Sequence, residues 1–346
     1  MSKVDAILDT LIRKYGEDLV VEGHEDIPRL KTGIFQFDLS SGGGLPRGRV
    51  VEIYGKEGSG KTNFALVTIA ETQRLHPDKI CVFIDIEKTY DPVWARRMGV
   101  NIDKLIVIRP DFAEQAVDIV DAFLKASDVI LIVFDSIAAL VTSDEIERSA
   151  EKDTVGARAR VMTKLVNKIL AGMHRADKEK RLLTFLAINQ VRIKIGVLFG
   201  SPETTPGGNA FRFLTSLRVR MHGTDVKDPK IHQSMWARKK TEFTIKRYKM
   251  PIVSNAGEYE MMMLPQKGLK VGDVDPWNTL TARAAQLGLL KRAGKKFAWN
   301  GKEFNTLKAL VASLKEDQDA VEDLVIKTAL IRTMAGNDDD ESLEGL

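Results

Sequence analysis

The chain has 346 residues, 44% hydrophobic and 29% charged, with a formal net charge of +4 and one cysteine. This composition fits a folded globular protein with room for an α/β core and one or two smaller modules. It excludes a disulfide framework, and no apolar run is long enough to span a membrane. The charge is uneven: the last ten residues, NDDDESLEGL, hold five acids and no base, so the preceding residues sum to +9. A basic body with an acidic end predicts a polyanionic partner. The N-terminal residues MSKVDAILDTLIRK show no cleavage signal, which points to the cytosol, or to the nucleoid or nucleus if the partner is DNA.

Val4, Ile7, Leu8, Leu11, Ile12 and Tyr15 recur at helical spacing, predicting an amphipathic helix whose apolar face must be covered. A polar link, residues 22–32 with Pro28, separates it from the next block, so the cover is as readily another subunit as the chain's own core. Residues 32–48, TGIFQFDLSSGGGLPRG, are expected to form tight turns.

Residues 50–62, VVEIYGKEGSGKT, run from an apolar β-branched stretch through a glycine-rich loop into a helical pattern over 62–75. Strand, G-x-x-x-x-G-K-[ST], helix is the order that identifies a phosphate loop: glycines let successive N–H groups face one concavity, and the helix adds its own unpaired N–H groups. Lys61 would neutralise the outer phosphates and the Thr62 hydroxyl would hold Mg²⁺.

Further apolar runs follow at 80–84, 105–108, 129–134, 182–188 and 217–221, alternating with helical patterns at 92–98, 113–125 and 157–173. Such alternation predicts a mostly parallel sheet covered on both faces, with ligands beyond the carboxyl ends of its strands. The residues just past each run are therefore the candidates. Glu87 would orient a water for attack on the terminal phosphate, Asp135 would hold Mg²⁺ or its waters, and Gln190 would sense the γ-phosphate by hydrogen bonding. Residues 145–156 and 191–209 are expected to be loops. The second is basic at its start and too long to be a mere connection, and it begins beside the candidate sensor.

Residues 238–249, RKKTEFTIKRYK, hold six bases against one acid, with a strand expected over 242–246. From Gly272 onward the pattern is a compact module. It has a helix carrying Trp277, Leu280, Ala284 and Leu287, a hairpin about Asn300-Gly301, and helices over 307–314 and 320–334. Cys81 lies inside the apolar run ICVFI and is expected to be a buried structural thiol.

Taken together, VVEIYGKEGSGKT, FIDIEKTYDP, FDSIAAL, INQVRIKIGVLFG and PETTPGGNA resemble the RecA family of bacterial and phage strand-exchange recombinases, over nearly the whole chain. The resemblance implies an α/β fold. A RecA-type P-loop NTPase core with a mostly parallel twisted sheet spans residues 32–271, behind an N-terminal oligomerisation helix and linker (1–31). A small C-terminal α+β domain that admits duplex DNA (272–336) and an acidic regulatory tail (337–346) follow.

It also implies DNA-dependent ATPase activity with ATP and Mg²⁺, single-stranded and double-stranded DNA as partners, a helical homo-oligomeric filament, and single-strand-binding and loader proteins as further partners. By position, Gly55, Glu57, Gly58, Ser59, Gly60, Lys61, Thr62 and Asn63 hold the nucleotide with Asp135, and Thr62 and Asp135 hold the metal. Glu87 is the catalytic glutamate and Gln190 the link to DNA. Asp91 and Trp94 pack against adenine, with Trp94 where the family commonly has Tyr. Lys246 and Lys249 reach the neighbouring subunit's γ-phosphate. Loops 145–160 and 191–209 bind DNA through Arg160, Thr163, Arg192, Lys194, Ile195, Gly207, Gly208 and Asn209, with Ile195 as a wedge between bases. A hexameric helicase and a small-molecule kinase are rival readings of the same core; DNA-independent turnover or closed rings would favour them.

Overall fold

A computed structural model describes residues 2–16, 27–147, 155–193, 203–228, 236–266, 268–293 and 296–335. The first helix, α1 (Lys3–Tyr15), opens with a capping box: the Ser2 hydroxyl accepts from the Asp5 N–H at 3.1 Å, and the Asp5 carboxylate accepts from the Ser2 N–H at 2.7 Å. None of its residues is buried, and Val4, Ile7 and Tyr15 are at least 60% exposed.

The stretch expected to be only turns contains a helix. Strand β1 (Arg29–Leu30) leads to α2 (Phe35–Ser41), and β2 (Leu45–Pro46) returns to pair antiparallel with β1. Phe35, Phe37 and Leu39 are buried, and the buried Asp38 carboxylate accepts from the Thr32 hydroxyl at 2.7 Å and from its N–H. Gly42, at φ 77°, ends the helix in the left-handed region, where glycine is least strained. Burial on two sides sustains a helix of two turns that local sequence alone would not.

The core then alternates: β3 (Val50–Gly55), α3 (Lys61–Leu75), β4 (Ile80–Asp85), α4 (Pro92–Arg97), β5 (Leu105–Ile108), α5 (Ala113–Phe123) and β6 (Val129–Asp135). After α6 (Ser143–Glu147) and α7 (Val155–Lys178) come β7 (Thr184–Gln190), β8 (Arg192–Ile193), β9 (Glu203–Thr204), α8 (Gly208–Leu214), β10 (Leu217–Lys227), β11 (Trp236–Tyr248) and β12 (Ala256–Met262). The main sheet runs β12-β11-β10-β3-β7-β6-β4-β5. Its members from β10 to β5 are parallel, and β11 and β12 add antiparallel at one edge. The parallel strands β3 and β6 are buried along their whole length, as expected for strands covered on both faces. Two apolar clusters, one on each face, account for this burial.

Two expectations need correcting. Residues 145–156 are not simply a loop, because α6 ends at Glu147 and α7 starts at Val155. Within 191–209, β8 and β9 pair antiparallel, and α8 already begins at Gly208. The strand expected over 242–246 is the middle of the thirteen-residue β11.

The C-terminal segment holds α9 (Trp277–Gln286), a three-stranded sheet of β13 (Leu290–Ala293), β14 (Lys296–Trp299) and β15 (Lys302–Phe304), then α10 (Leu307–Leu314) and α11 (Gln318–Ala335). Its core is shared with α2: Phe35 and Leu39 pack with Leu280, Leu310 and Val325.

Candidate functional site

The phosphate loop leaves β3 at Gly55, where only glycine fits. A Cβ there would stand 2.3 Å from the Met221 carbonyl oxygen of the adjacent β10. Gly60, at φ 86°, turns the chain into α3. The loop lines a cleft of about 200 Å³ with Glu57, Gly58, Ser59, Gly60, Lys61, Thr62 and Asn63; Glu87, Asp135, Gln190 and Lys239 complete it. The cleft thus gathers the loop residues, the Glu87 and Asp135 carboxylates, the candidate sensor Gln190 and Lys239 from five separate stretches. Lys239 was missed in the sequence.

Lys61 folds into its own loop, donating to the carbonyls of Lys56 at 2.8 Å and Gly55 at 3.2 Å. Burial pushes its pKa down, while Asp135, Glu87 and Glu57 oppose that shift. The Thr62 hydroxyl donates to Asp135 Oδ2 at 2.8 Å. Burial raises the Asp135 carboxyl to about 7, with the Thr62 hydrogen bond opposing. A buried carboxylate beside a helix-start hydroxyl fits a hard divalent cation, whose charge would favour the ionised form. Among the described residues no cluster of three or more His, Cys, Asp or Glu forms a metal cage, and a cation that takes few protein ligands and several phosphate oxygens needs none.

Glu87 lies two residues past the end of β4. The turn that carries it is held by the fully buried Asp85, whose carboxylate accepts from the N–H groups of Thr89 (3.0 Å) and Tyr90 (3.1 Å) and from Arg109 (2.9 Å). Glu87 Oε1 accepts from the Ser136 hydroxyl and, at 3.1 Å, from Gln190 Nε2. One residue further on, Val191 leads into the β8–β9 pair.

Beneath that pair lies a buried polar network absent from the sequence reading. Asn189 Nδ2 donates to Glu52 Oε1 at 2.8 Å and to the Pro206 carbonyl at 2.9 Å. Arg218 closes on the other Glu52 oxygen and reaches the Thr205 hydroxyl at 3.2 Å. Arg220 holds Glu203 through two hydrogen bonds of 2.6 and 2.7 Å. These bonds fix the returning end of the 191–209 segment to β3, β7 and β10, so that end has a defined position relative to Gln190.

A second groove, about 490 Å³, lies beyond this network. Thr163, Arg192, Gly207, Gly208 and Asn209 line it, joined by Glu145, Arg158, Ala159, Met162, Pro206 and Ala210. Arg160 is exposed on α7 outside that lining, while Arg158, missed in the sequence, is in it and donates to the Ala138 carbonyl at 2.8 Å. The signal for Arg158 was its helical phase: it precedes Met162 by four residues on one face of α7. Lys194, Ile195 and the acidic tail 337–346 lie outside the described residues.

The remaining candidates stand apart from the phosphate cleft. Asp91 caps α4, accepting from the N–H groups of Val93 and Trp94, and the Trp94 indole donates to Asn63 Oδ1 at 3.0 Å, tying α4 to the start of α3. Lys246 is exposed on β11, and Lys249 donates to the Phe213 carbonyl at 2.9 Å; neither lines the cleft of its own chain. Cys81 is buried, with its thiol pKa pushed up to about 12.

The family model described as RecA N-terminal domain matches residues 2–266. The chain is 35% identical over 335 residues to Protein RecA of Marinobacter nauticus, covering 93% of this chain and 90% of that one. To Protein RecA of Teredinibacter turnerae it is 34% identical over 350 residues (99% and 96% covered), and to that of Bartonella bacilliformis 37% over 285 residues (79% and 80%).

Proposed function

The chain belongs to the RecA family and is a recombinase with DNA-dependent ATPase activity, and from that premise we propose that its phosphate cleft and its basic groove are one coupled site. ATP sits on the loop 55–62, with Lys61 on its outer phosphates and Trp94 and Asp91 toward the base. Thr62 and Asp135 hold Mg²⁺, which when bound supplies charge neutralisation at the phosphates. Glu87 orients the attacking water. Single-stranded DNA lies in the groove, its phosphates met by Arg192 and Arg160 and its backbone accommodated by Gly207, Gly208, Thr163 and Asn209, with Lys194 and Ile195 completing the contact.

The observation that carries this reading is the hydrogen bond from Gln190 to Glu87. It joins the group that would activate water to the residue from which the groove's edge departs. DNA that moves β8 moves Gln190, and Gln190 decides which geometry Glu87 takes. Coupling of this kind is reciprocal: ATP strengthens DNA binding by the same factor that DNA strengthens ATP binding. We place Lys246 and Lys249 at the next subunit's nucleotide, α1 on a neighbouring subunit, and duplex DNA at the C-terminal segment. In this reading hydrolysis removes the bridge between subunits and releases DNA. No described helix is long and apolar enough to cross a membrane, and we assign the protein to the cytoplasm, on nucleoid DNA or on that of a phage-infected host, with single-strand-binding and loader proteins as further partners.

The test is ATP turnover with and without single-stranded DNA, with electron microscopy of the product. Strong stimulation together with helical filaments is the expected result; DNA-independent turnover or closed rings would overturn the coupling.

A further inference from the structure

The β10–β11 ribbon outruns the sheet. Strand β10 pairs with β3 only through Leu217–Met221, whereas its pairing with β11 continues to Lys227 opposite Trp236. The overhang is pressed against the phosphate loop. A Cβ on Gly223 would come within 2.8 Å of Ser59 Cα, and one on Gly60 within 3.3 Å of Lys239 Cδ. Lys239 faces Asp225 across the ribbon, and its Nζ bonds that carboxylate at 2.5 Å and the Gly58 carbonyl at 2.8 Å. Its side chain is 12% exposed, and with Lys61 it supplies the positive charge of the described cleft lining.

We propose that Lys239 is a second phosphate-binding cation of the nucleotide site, supplied by the same chain and aimed by Asp225. This rests on the reading of the cleft as a triphosphate site. The described lining sets Lys61 and Lys239 against Glu57, Glu87 and Asp135, so a triphosphate adds anionic charge where carboxylates are already in excess. Lys61 and a divalent cation at Thr62 and Asp135 together do not balance it. The partner Nζ now holds on the loop is a neutral carbonyl, whereas a phosphate oxygen makes a shorter and stronger charge-assisted bond. The unbranched stem of lysine allows that exchange, and Asp225 keeps the ammonium over the cleft in either state. Because the ribbon belongs to the same chain, Lys239 acts in an unassembled subunit, before any lysine from a neighbour can arrive.

The experiment measures ATP and ADP binding to the full-length chain without DNA, for wild type, Lys61→Ala, Lys239→Met, Lys239→Arg and Asp225→Asn, over a range of salt concentrations. Lys239→Met is expected to weaken ATP binding by about tenfold, the scale of one charge-assisted hydrogen bond, and to flatten its salt dependence. Lys239→Arg should restore most of the affinity, and Asp225→Asn should fall between. Thermal melting of the nucleotide-free variants controls for folding; a merely structural role would lower melting without changing the salt dependence. Wild-type affinity in Lys239→Met, or an unchanged salt dependence, overturns the assignment of Lys239 alone. Failure of the wild-type chain to bind ATP, or indifference to Lys61→Ala, overturns the triphosphate reading and the assignment of Lys239 with it.

Discussion

Gln190 Nε2 stands 3.1 Å from Glu87 Oε1, although the two residues extend from strands that are not neighbours: β6 lies between β4 and β7. The contact passes over the end of β6, where Ser136 bonds the same carboxylate oxygen. Glu87 is therefore held from two strands besides its own. An amide at position 87 keeps the shape but cannot take a proton. Glu87→Gln should lower hydrolysis by at least about 10²-fold while ATP-bound filaments persist on DNA. Single-turnover hydrolysis and filament lifetime check this, and rapid disassembly of the variant would count against the role of Glu87.

Gln190→Ala removes the bridge and leaves the phosphate loop intact. ATP binding should stay within about tenfold of wild type, because the glutamine adds at most one neutral hydrogen bond there. Stimulation of turnover by DNA should be lost. The ratio of rates with and without DNA is the readout; a preserved ratio would remove Gln190 from the coupling.

The Asp135 carboxyl, raised to about 7 by burial, must be ionised to hold a cation. Affinity for Mg²⁺–ATP should therefore rise with pH up to about 7 and level off above it, and Asp135→Asn should flatten the profile. The sign for stability is opposite. A carboxyl whose pKa is higher in the folded chain makes the nucleotide-free protein lose stability between about pH 4 and pH 7, and bound cation should abolish that loss. Calorimetric titration and melting across this range test both.

Arg192 lines the groove at the start of β8 and is exposed there. Arg192→Ala should weaken single-stranded DNA binding and reduce the slope of log affinity against log salt by about 0.7, the share of one phosphate contact. An unchanged slope would place its contact elsewhere than on phosphate.

Asp38 is buried, and its carboxyl is pushed up to about 8, with the Thr32 bonds opposing the burial that raises it. The wild-type chain should lose stability relative to Asp38→Asn as pH rises from about 4 to about 8, after which the gap should hold constant. Urea unfolding of both chains across that range would show it; parallel curves would contradict it.

The parallel strands were legible because continuous β-branched runs ending in a polar residue carry both their structure and their ligand edge. Val129–Asp135 is the clearest case: buried throughout, with the candidate metal-binding carboxylate at its last position. Helix α2 was illegible because FQFDLSS is short and runs into three glycines; what makes it a helix is α11 and β12 packed against it, information held far away in the chain. Lys239 was hidden within a run of bases that looked like a guarded strand edge. Its phase was the overlooked sign, since it shares the face of Thr241 and Phe243, both buried. Glu52 escaped for the opposite reason, as a polar residue inside an apolar run, and its bond to Asn189, the amide just past the 182–188 run, is brought about only by strand order.

Helix α1 gives a last consequence. Its apolar stripe is left uncovered by the described residues of its own chain, and in the proposed assembly it is claimed by an identical copy on a patch unlike itself. Such head-to-tail contacts repeat without closing when the rotation from copy to copy follows a helix, as in the proposed filament. The two ends of the polymer are then chemically distinct, one bearing an unclaimed helix and the other an unclaimed receptor. A copy lacking residues 3–15 could dock through its receptor and offer nothing onward, acting as a terminator that arrests growth from one end only.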